Sequence, residues 1–366
     1  MTVTTAEAGT GAAGEQNAVA VSERKRANVK RLAIIGGVAV SALAIIAAVT
    51  IGTAGVTFGD VWKAVVLSIF GGTLENDFAQ KFSIVTELRL PRVLLAFAAG
   101  AGLSLSGVLM QGLLRNPLVS PFTLGVSPAA AFGAALAITI AGGTTLPSWA
   151  IIASALVVSL AVSALVLGLA SAKGMAIATL LLLGIAITQL FEALTAALQF
   201  TANENTLQAI VRWTFGSVND ATWGDVQTVG ILVLATIPFV LWFAKDLNAV
   251  AFAGDDAAKS LGVNVQALRV GLIVVAVVLA AVIVSFCGVI GFVGLVGPHI
   301  ARLIIGADHR YLIPFSVLTG GLLLLVADTV GRTILAPAVI PVGIVVAFIG
   351  APIFIQLILT RKTALK

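Results

Sequence analysis

The sequence predicts an all-α, polytopic membrane protein with about ten transmembrane helices, and three observations carry that expectation. The 366 residues are 59% hydrophobic. Only 10% are charged, where soluble domains carry about 25%. Mean hydropathy is +1.11, and apolar runs close to the roughly 20 residues that cross a bilayer recur along the whole chain. The net charge of +5 reads as membrane orientation, because the bases lie between apolar runs and form no nucleic-acid patch. A single cysteine, Cys287, excludes an internal disulfide, and no Cys/His spacing suggests a metal site.

Residues 1–30 are rich in Ala, Gly, Thr and Glu and end in Arg24, Lys25, Arg26 and Lys30. This composition buries no core, so a disordered tail before a membrane domain (31–366) is expected. The next run, Leu32–Ile51, is too long for a signal-peptide core of about 7–15 residues and reads as a retained span. Further spans fall at Val93–Leu113, Phe122–Ala141, Trp149–Leu169, Ala176–Leu198, Thr228–Ala244, Val270–Phe286, Gly291–Ile305, Tyr311–Val330 and Val342–Leu359. The Gly291–Ile305 run is short and starts in a Gly-rich stretch, which suits a short tilted helix or a re-entrant piece. Between spans, Val56–Phe70 reads as an amphipathic interfacial stretch. Residues 199–227, with Trp213 and Trp223, read as holding another surface helix.

Counting bases orients the chain. With the N-terminus inside, the outer loops hold Lys63, Lys81, Arg89, Arg92, Arg212 and Arg332, and the other Lys and Arg fall inside. The positive-inside rule therefore predicts that both termini are cytoplasmic.

One cytoplasmic segment stands apart. Residues Lys245–Arg269 hold Asp246, Asp255, Asp256, Lys245, Lys259 and Arg269 between two apolar spans. The pattern is that of two short helices. Asp255 and Asp256 after Gly254 suit the capping of a helix N-terminus. Gly262 is placed to end the first helix and Asn264 to cap a second over Val265–Arg269. Gly254 to Ser260 lacks the glycine before lysine that a phosphate loop requires, so the chain has no Walker A pattern.

Other candidates have two readings each. Ala98, Gly102 and Ser106 fall four apart, and Gly288, Gly291, Gly294 and Gly297 three apart. Such small residues let helices pack closely or give a pathway helix a smooth face. Glu192 and Asp328 are ionisable groups within spans, and Asp328 and Arg332 are spaced to pair on one helix face. They lie near span ends, where an ion-coupled carrier would need groups at the midplane. His299 reads as a packing histidine or, less economically, a metal or haem contact. Arg89, Arg92 and Arg332 gather at the outer side, as loop anchors or as a positive rim for an acidic partner.

Several stretches in order resemble one family. They are ELRLPRVLLAFAAGAGLSLSGVLMQGLLRNPLVSPFTLGVSPAAAFG (Glu87–Gly133), GDDAAKSLGVNV (Gly254–Val265), GVIGFVGLVGPHIARLIIGADHRYLIP (Gly288–Pro314), IPVG (Ile340–Gly343) and GAPIFI (Gly350–Ile355). Together they resemble the permease subunits of type II ABC importers for iron-siderophore, haem and cobalamin uptake in bacteria. The resemblance implies ten spans and a dimer of permeases, with two cytoplasmic ATPase subunits and an extracytoplasmic substrate-binding protein. It implies that the polar island forms short cytoplasmic coupling helices on the ATPase, through Gly254, Asp255, Asp256, Ala258, Lys259, Leu261, Gly262 and Val263. It likewise implies that Arg89, Arg92 and Arg332 receive acidic residues of the binding protein. ATP and magnesium would sit on the partner ATPase, with no cofactor on this chain. The loop TLQAIVRWTFGSVNDATW is closer to iron-siderophore members than to cobalamin ones.

Overall fold

The computed structural model describes residues 7–52, 55–142, 147–173 and 175–361, with side chains described between residues 24 and 356. Among them all regular structure is helical.

The first helix, α1 (Glu7–Thr50), is 44 residues long. It begins well inside the stretch expected as a disordered tail; residues 1–6 lie outside the described residues. Ala, Glu, Gln, Lys and Arg between residues 12 and 31 are good helix formers, which accounts for the extension. The stretch expected to lie along the interface contains a helix, α2 (Phe58–Phe70), opened by a Thr57–Asp60 capping box. After α3 (Asn76–Ser83), a π-helical turn at Ile84–Arg89 leads into α4 (Leu90–Leu113).

Beyond α4 the chain turns through a 3₁₀ segment, Pro121–Leu124, into α5 (Val126–Ile140). Helices α6 (Ser148–Ala172) and α7 (Ile177–Thr201) follow, both packed against α5. The surface helix α8 (Glu204–Thr214) is capped by Asn203, and α9 (Trp223–Trp242) by a second capping box at Thr222 and Asp225. Then come α10 (Ala244–Asn248), a π turn at Ala249–Ala253, α11 (Asp255–Ser260) and α12 (Val265–Cys287). The chain ends with α13 (Val293–Ile305), α14 (His309–Gly331) and α15 (Val342–Arg361).

Among the described residues, seven helices are long and apolar enough to cross a membrane, and three shorter apolar helices, α5, α13 and α15, accompany them. The expected set of ten membrane segments is therefore present, but two of them are incomplete. The expected span Phe122–Ala141 is a helix entered from the middle of the bundle. Pro121 and the left-handed Gly125 (φ +81°) stop a helix from forming further back. The preceding turn packs against Gly184 and Ile187, halfway along α7. Likewise α13 starts at Phe292, itself left-handed (φ +62°), and its Gly294 meets Leu103 and Gly107 in the middle of α4.

Helix α4 is the hub. It packs against α9, α12, α13 and α14, and 83% of its apolar window is buried, against 11% for α7. Small residues permit this on two faces. Ser106 Oγ donates to Ala276 O at 2.5 Å, and a side chain at Gly102 would overlap Ile283 and Val233. On the other face a side chain at Gly107 would run into the Gly294 carbonyl, and a Cβ at Gly297 would come within 2.5 Å of Ser104 Oγ. Ser104 Oγ in turn donates to Ser316 O at 2.6 Å. Close packing thus accounts for Gly102, Ser106, Gly294 and Gly297. Ala98 is half-buried, and Gly291 has nothing within 4 Å.

Candidate functional site

The polar island lies at the end of the bundle where α4 finishes and α14 begins. Arg115, just past α4, reaches it: a Cβ at Gly254 would come within 3.3 Å of the Arg115 guanidinium. Gly254 has φ +87°, a conformation that favours glycine, and it turns the chain sharply from the π segment into α11. Two hydrogen bonds close α11: Gly262 N–H donates to Lys259 O (2.9 Å) and Val263 N–H to Ala258 O (3.1 Å). That pair is a Schellman motif, with Gly262 at φ +86° where a left-handed residue is required. Asn264 then caps α12 by accepting from Ala267 N–H at 3.1 Å.

Two expectations need correction. The second short helix is no separate element, because Val265–Arg269 is the first part of the continuous span α12. Nor do Asp255 and Asp256 cap α11 with their side chains. Asp255 instead accepts both Oδ contacts from Arg269 Nη2, at 2.9 and 3.0 Å. Asp256 faces outward beside Lys259, at 3.3 Å. One acid fastens α11 to the membrane span and the other is left on the surface.

With Ala258 fully buried, the outer side of the element presents Asp256, Ala257, Lys259, Ser260 and Leu261. Leu261 is 72% exposed and the neighbouring Phe252 62%. Leu261 and Phe252 thus leave two large apolar groups uncovered on an otherwise polar segment.

At the root of the island, Asn248 on α10 meets the start of α14. Its Nδ2 donates to Asp308 Oδ1 at 2.8 Å, and its Oδ1 accepts from His309 N–H at 2.9 Å. Asp308 also caps α14 and pairs with Arg310 at 2.7 Å. Burial works to raise the Asp308 pKa, but hydrogen bonds from Arg310 and Asn248 outweigh it and bring it down to about 2.

At the opposite end the structure gathers Arg89, Arg92 and Arg332, yet it does not leave them as an open rim. Arg89 is 7% exposed and donates to Val49 O and Thr50 O, at 2.8 and 2.9 Å. It satisfies carbonyls that the end of α1 leaves unpaired. Arg92 holds Asp328 through Nε (3.0 Å) and Nη2 (2.8 Å) and also reaches Asn219. Arg332 bonds Ala48 O and lies 3.8 Å from Asp328. The expected Asp328–Arg332 pair exists, but Arg92 is the nearer partner. Charged ends that looked like a docking surface are first of all ties between α1, α4 and α14.

A cavity of about 390 Å³ opens between α5, α7 and α8, lined by Ser127, Thr188, Glu192, Thr195, Gln199 and Thr214 among others. Glu192 accepts from Gln189 at 3.2 Å. His299 is half-buried on α13, and among the described residues no three His, Cys, Asp or Glu groups are placed to hold a metal. Cys287 is buried. The sequence alone does not mark Asn248, Asp308 and His309, because nothing in the ADHR stretch points to a partner 60 residues away.

Shortened apolar helices inside a bundle, a tightly packed central helix and a capped polar element on one end are the frame of a multi-pass membrane protein. The chain belongs to the FecCD transport family, whose model matches residues 39–360. It is 39% identical to the hemin transport system permease protein HmuU of Yersinia pestis, over 79% of this chain and 86% of the relative. It is 40% identical to the cobalamin import system permease protein BtuC of Halobacterium salinarum (76% and 74%) and 37% to the Fe(3+) dicitrate transport system permease protein FecD of Escherichia coli (77% and 87%). Among solved structures it resembles a metal-chelate type ABC transporter in an inward-facing conformation. The TM-score is 0.78 at 30% identity, covering 90% of this chain and 99% of that one.

Proposed function

We propose that this chain is the membrane permease of an ATP-driven importer of iron chelates, with a ferric siderophore as the cargo. The observation that carries the coupling is α11, an element clamped to α12 by Asp255 and Arg269 whose outer face is exposed and partly apolar. Such a face suits a cytoplasmic ATPase that binds ATP and magnesium, while this chain itself performs no chemistry and holds no cofactor. Gly254, Asp255, Ala258, Gly262 and Val263 shape the element, and Asp256, Lys259 and Leu261 meet the partner.

Two copies of this chain, or this chain and a similar one, would enclose the pathway, with two ATPases inside and an extracytoplasmic binding protein outside. The sparsely buried α7 and its largely apolar cavity suit a pathway wall. Both termini and the island are cytoplasmic by the distribution of bases. At the outer end, Arg92 and Arg332 share the carboxylate of Asp328 and Arg89 bonds backbone carbonyls, which leaves positive charge to meet acidic residues of the binding protein.

Relatives that carry haem, cobalamin and ferric dicitrate support a metal-chelate cargo; the siderophore assignment rests on the loop around Trp213. Haem or cobalamin is the alternative cargo. An ion-gradient-driven carrier is the alternative class, disfavoured by the peripheral positions of Glu192 and Asp328. Proteoliposomes holding the permease, its ATPase and a chelate-loaded binding protein decide between the classes. Uptake should require ATP and a loaded binding protein; uptake driven by an ion gradient alone would overturn the importer.

A further inference from the structure

We propose that Asn248, Asp308 and His309 form the tie through which movement of the island enters the membrane bundle, by way of α14. The proposal rests on the reading of α11 as an ATPase-docking element. Three hydrogen bonds within 2.9 Å join α10 to the first residues of α14. Asn248 Oδ1 is an acceptor only, so the His309 Nδ1 that lies 2.8 Å from it carries the hydrogen. Nε2 is then a bare acceptor, and it is buried without a hydrogen-bond partner. It faces Gly112 of α4, where a Cβ would come within 2.6 Å of it. The imidazole, 3% exposed, is thereby wedged between the coupling segment, α14 and the hub helix.

A second attachment makes the arrangement a lever. Asp255 and Arg269 fasten α11 to α12, while Asn248 fastens α10 to α14. A push on α11 therefore reaches two different spans. Helix α14 carries it along the full face of α4 to Asp328, at the opposite end. Asn248, Asp308 and His309 are positioning residues in this scheme, since none of them touches ATP or cargo.

The test exchanges the polarity of one bond. Asn248→Asp removes the donor to Asp308 and sets two carboxylates face to face. Adding Asp308→Asn restores a donor–acceptor pair, keeps the acceptor for His309, and leaves a residue that still caps α14. Permease–ATPase complexes in lipid nanodiscs would carry a spin label at exposed Val326 of α14, after Val326→Cys; native Cys287 is buried. ATP with vanadate should shift the distance between labels on the two copies in the unaltered chain. With Asn248→Asp alone we expect normal ATPase copurification, but loss of the shift and about a tenfold drop in binding-protein-stimulated hydrolysis. The double variant should recover both. Gly112→Ala, which displaces the ring but removes no polar group, should reproduce the single variant.

An unchanged shift in Asn248→Asp and Gly112→Ala, or a double variant that binds ATPase yet recovers neither readout, would overturn the tie. Failure of the unaltered chain to hold its ATPase would instead overturn the docking reading.

Discussion

Arg269, at the base of α12, holds Asp255, at the start of α11, by two contacts of 2.9 and 3.0 Å. The guanidinium is 9% exposed and the carboxylate 36%, so the pair sits at the boundary between bundle and surface. It sets the angle at which α11 leaves the membrane span, and a single charge removal should loosen it. Arg269→Ala should leave the chain folded, with a loss of about 1–3 kcal/mol, and lower the affinity for the ATPase by about tenfold. Thermal unfolding and ATPase titration in detergent would separate the two effects. Arg269→Lys should recover only part, since lysine lacks the planar fork.

At the far end, the Arg92–Asp328 pair is buried at 13% and 1% exposure. Breaking a buried pair costs about 3–5 kcal/mol, whereas replacing both partners by apolar groups is often neutral. Asp328→Ala should therefore depress the melting temperature far more than Arg92→Met combined with Asp328→Leu. Equal losses in the two variants would mean that the pair does not carry the α4–α14 joint.

Packing of the hub gives a prediction independent of charge. Gly107 and Gly294 meet backbone to backbone, and neither has room for a branched side chain. Gly107→Val should force α4 from α13 and abolish folding or transport. Gly291→Ala, where space is open, should be silent in the same expression and thermal-unfolding measurements.

Asp308 has its pKa lowered from 3.8 to about 2. A depressed carboxylate contributes stability that is present above its unfolded value and lost as pH falls through the folded one. The tie to Asn248 should thus be intact throughout pH 5–8. Binding-protein-stimulated hydrolysis across that range should be the same, apart from steps common to both, in the unaltered chain and in Asp308→Asn combined with Asn248→Asp.

Much of this was legible in the sequence, for physical reasons that differ by region. Charge is rare in the chain, so Lys245–Arg269 showed itself by contrast, and Gly262 and Asn264 marked where helices end and start. Hydropathy measures length and apolarity but not depth. Phe122–Ala141 therefore read as a whole span, although Pro121 and Gly125 confine its helix to 15 residues, about three quarters of one. The partners of Arg89 and the Ala48 contact of Arg332 were hidden because backbone carbonyls have no sequence signature, and Arg92 meets Asp328 from 236 residues away. Asn248 and Asp308 were silent for a related reason: their pairing depends on how α10 and α14 are brought together.

The central claim is that the exposed face of α11 receives an ATPase, and the most direct measurement is the affinity of that contact. Leu261→Glu and Phe252→Glu each place a charge where the partner should cover an apolar group that is now 72% or 62% exposed. Both side chains are largely exposed, so the permease should unfold close to the unaltered temperature. Titration of purified ATPase against the permease in nanodiscs should show affinity lowered at least about tenfold in each variant, with ATP-dependent uptake lost in parallel. Unchanged affinity in both variants would contradict the claim.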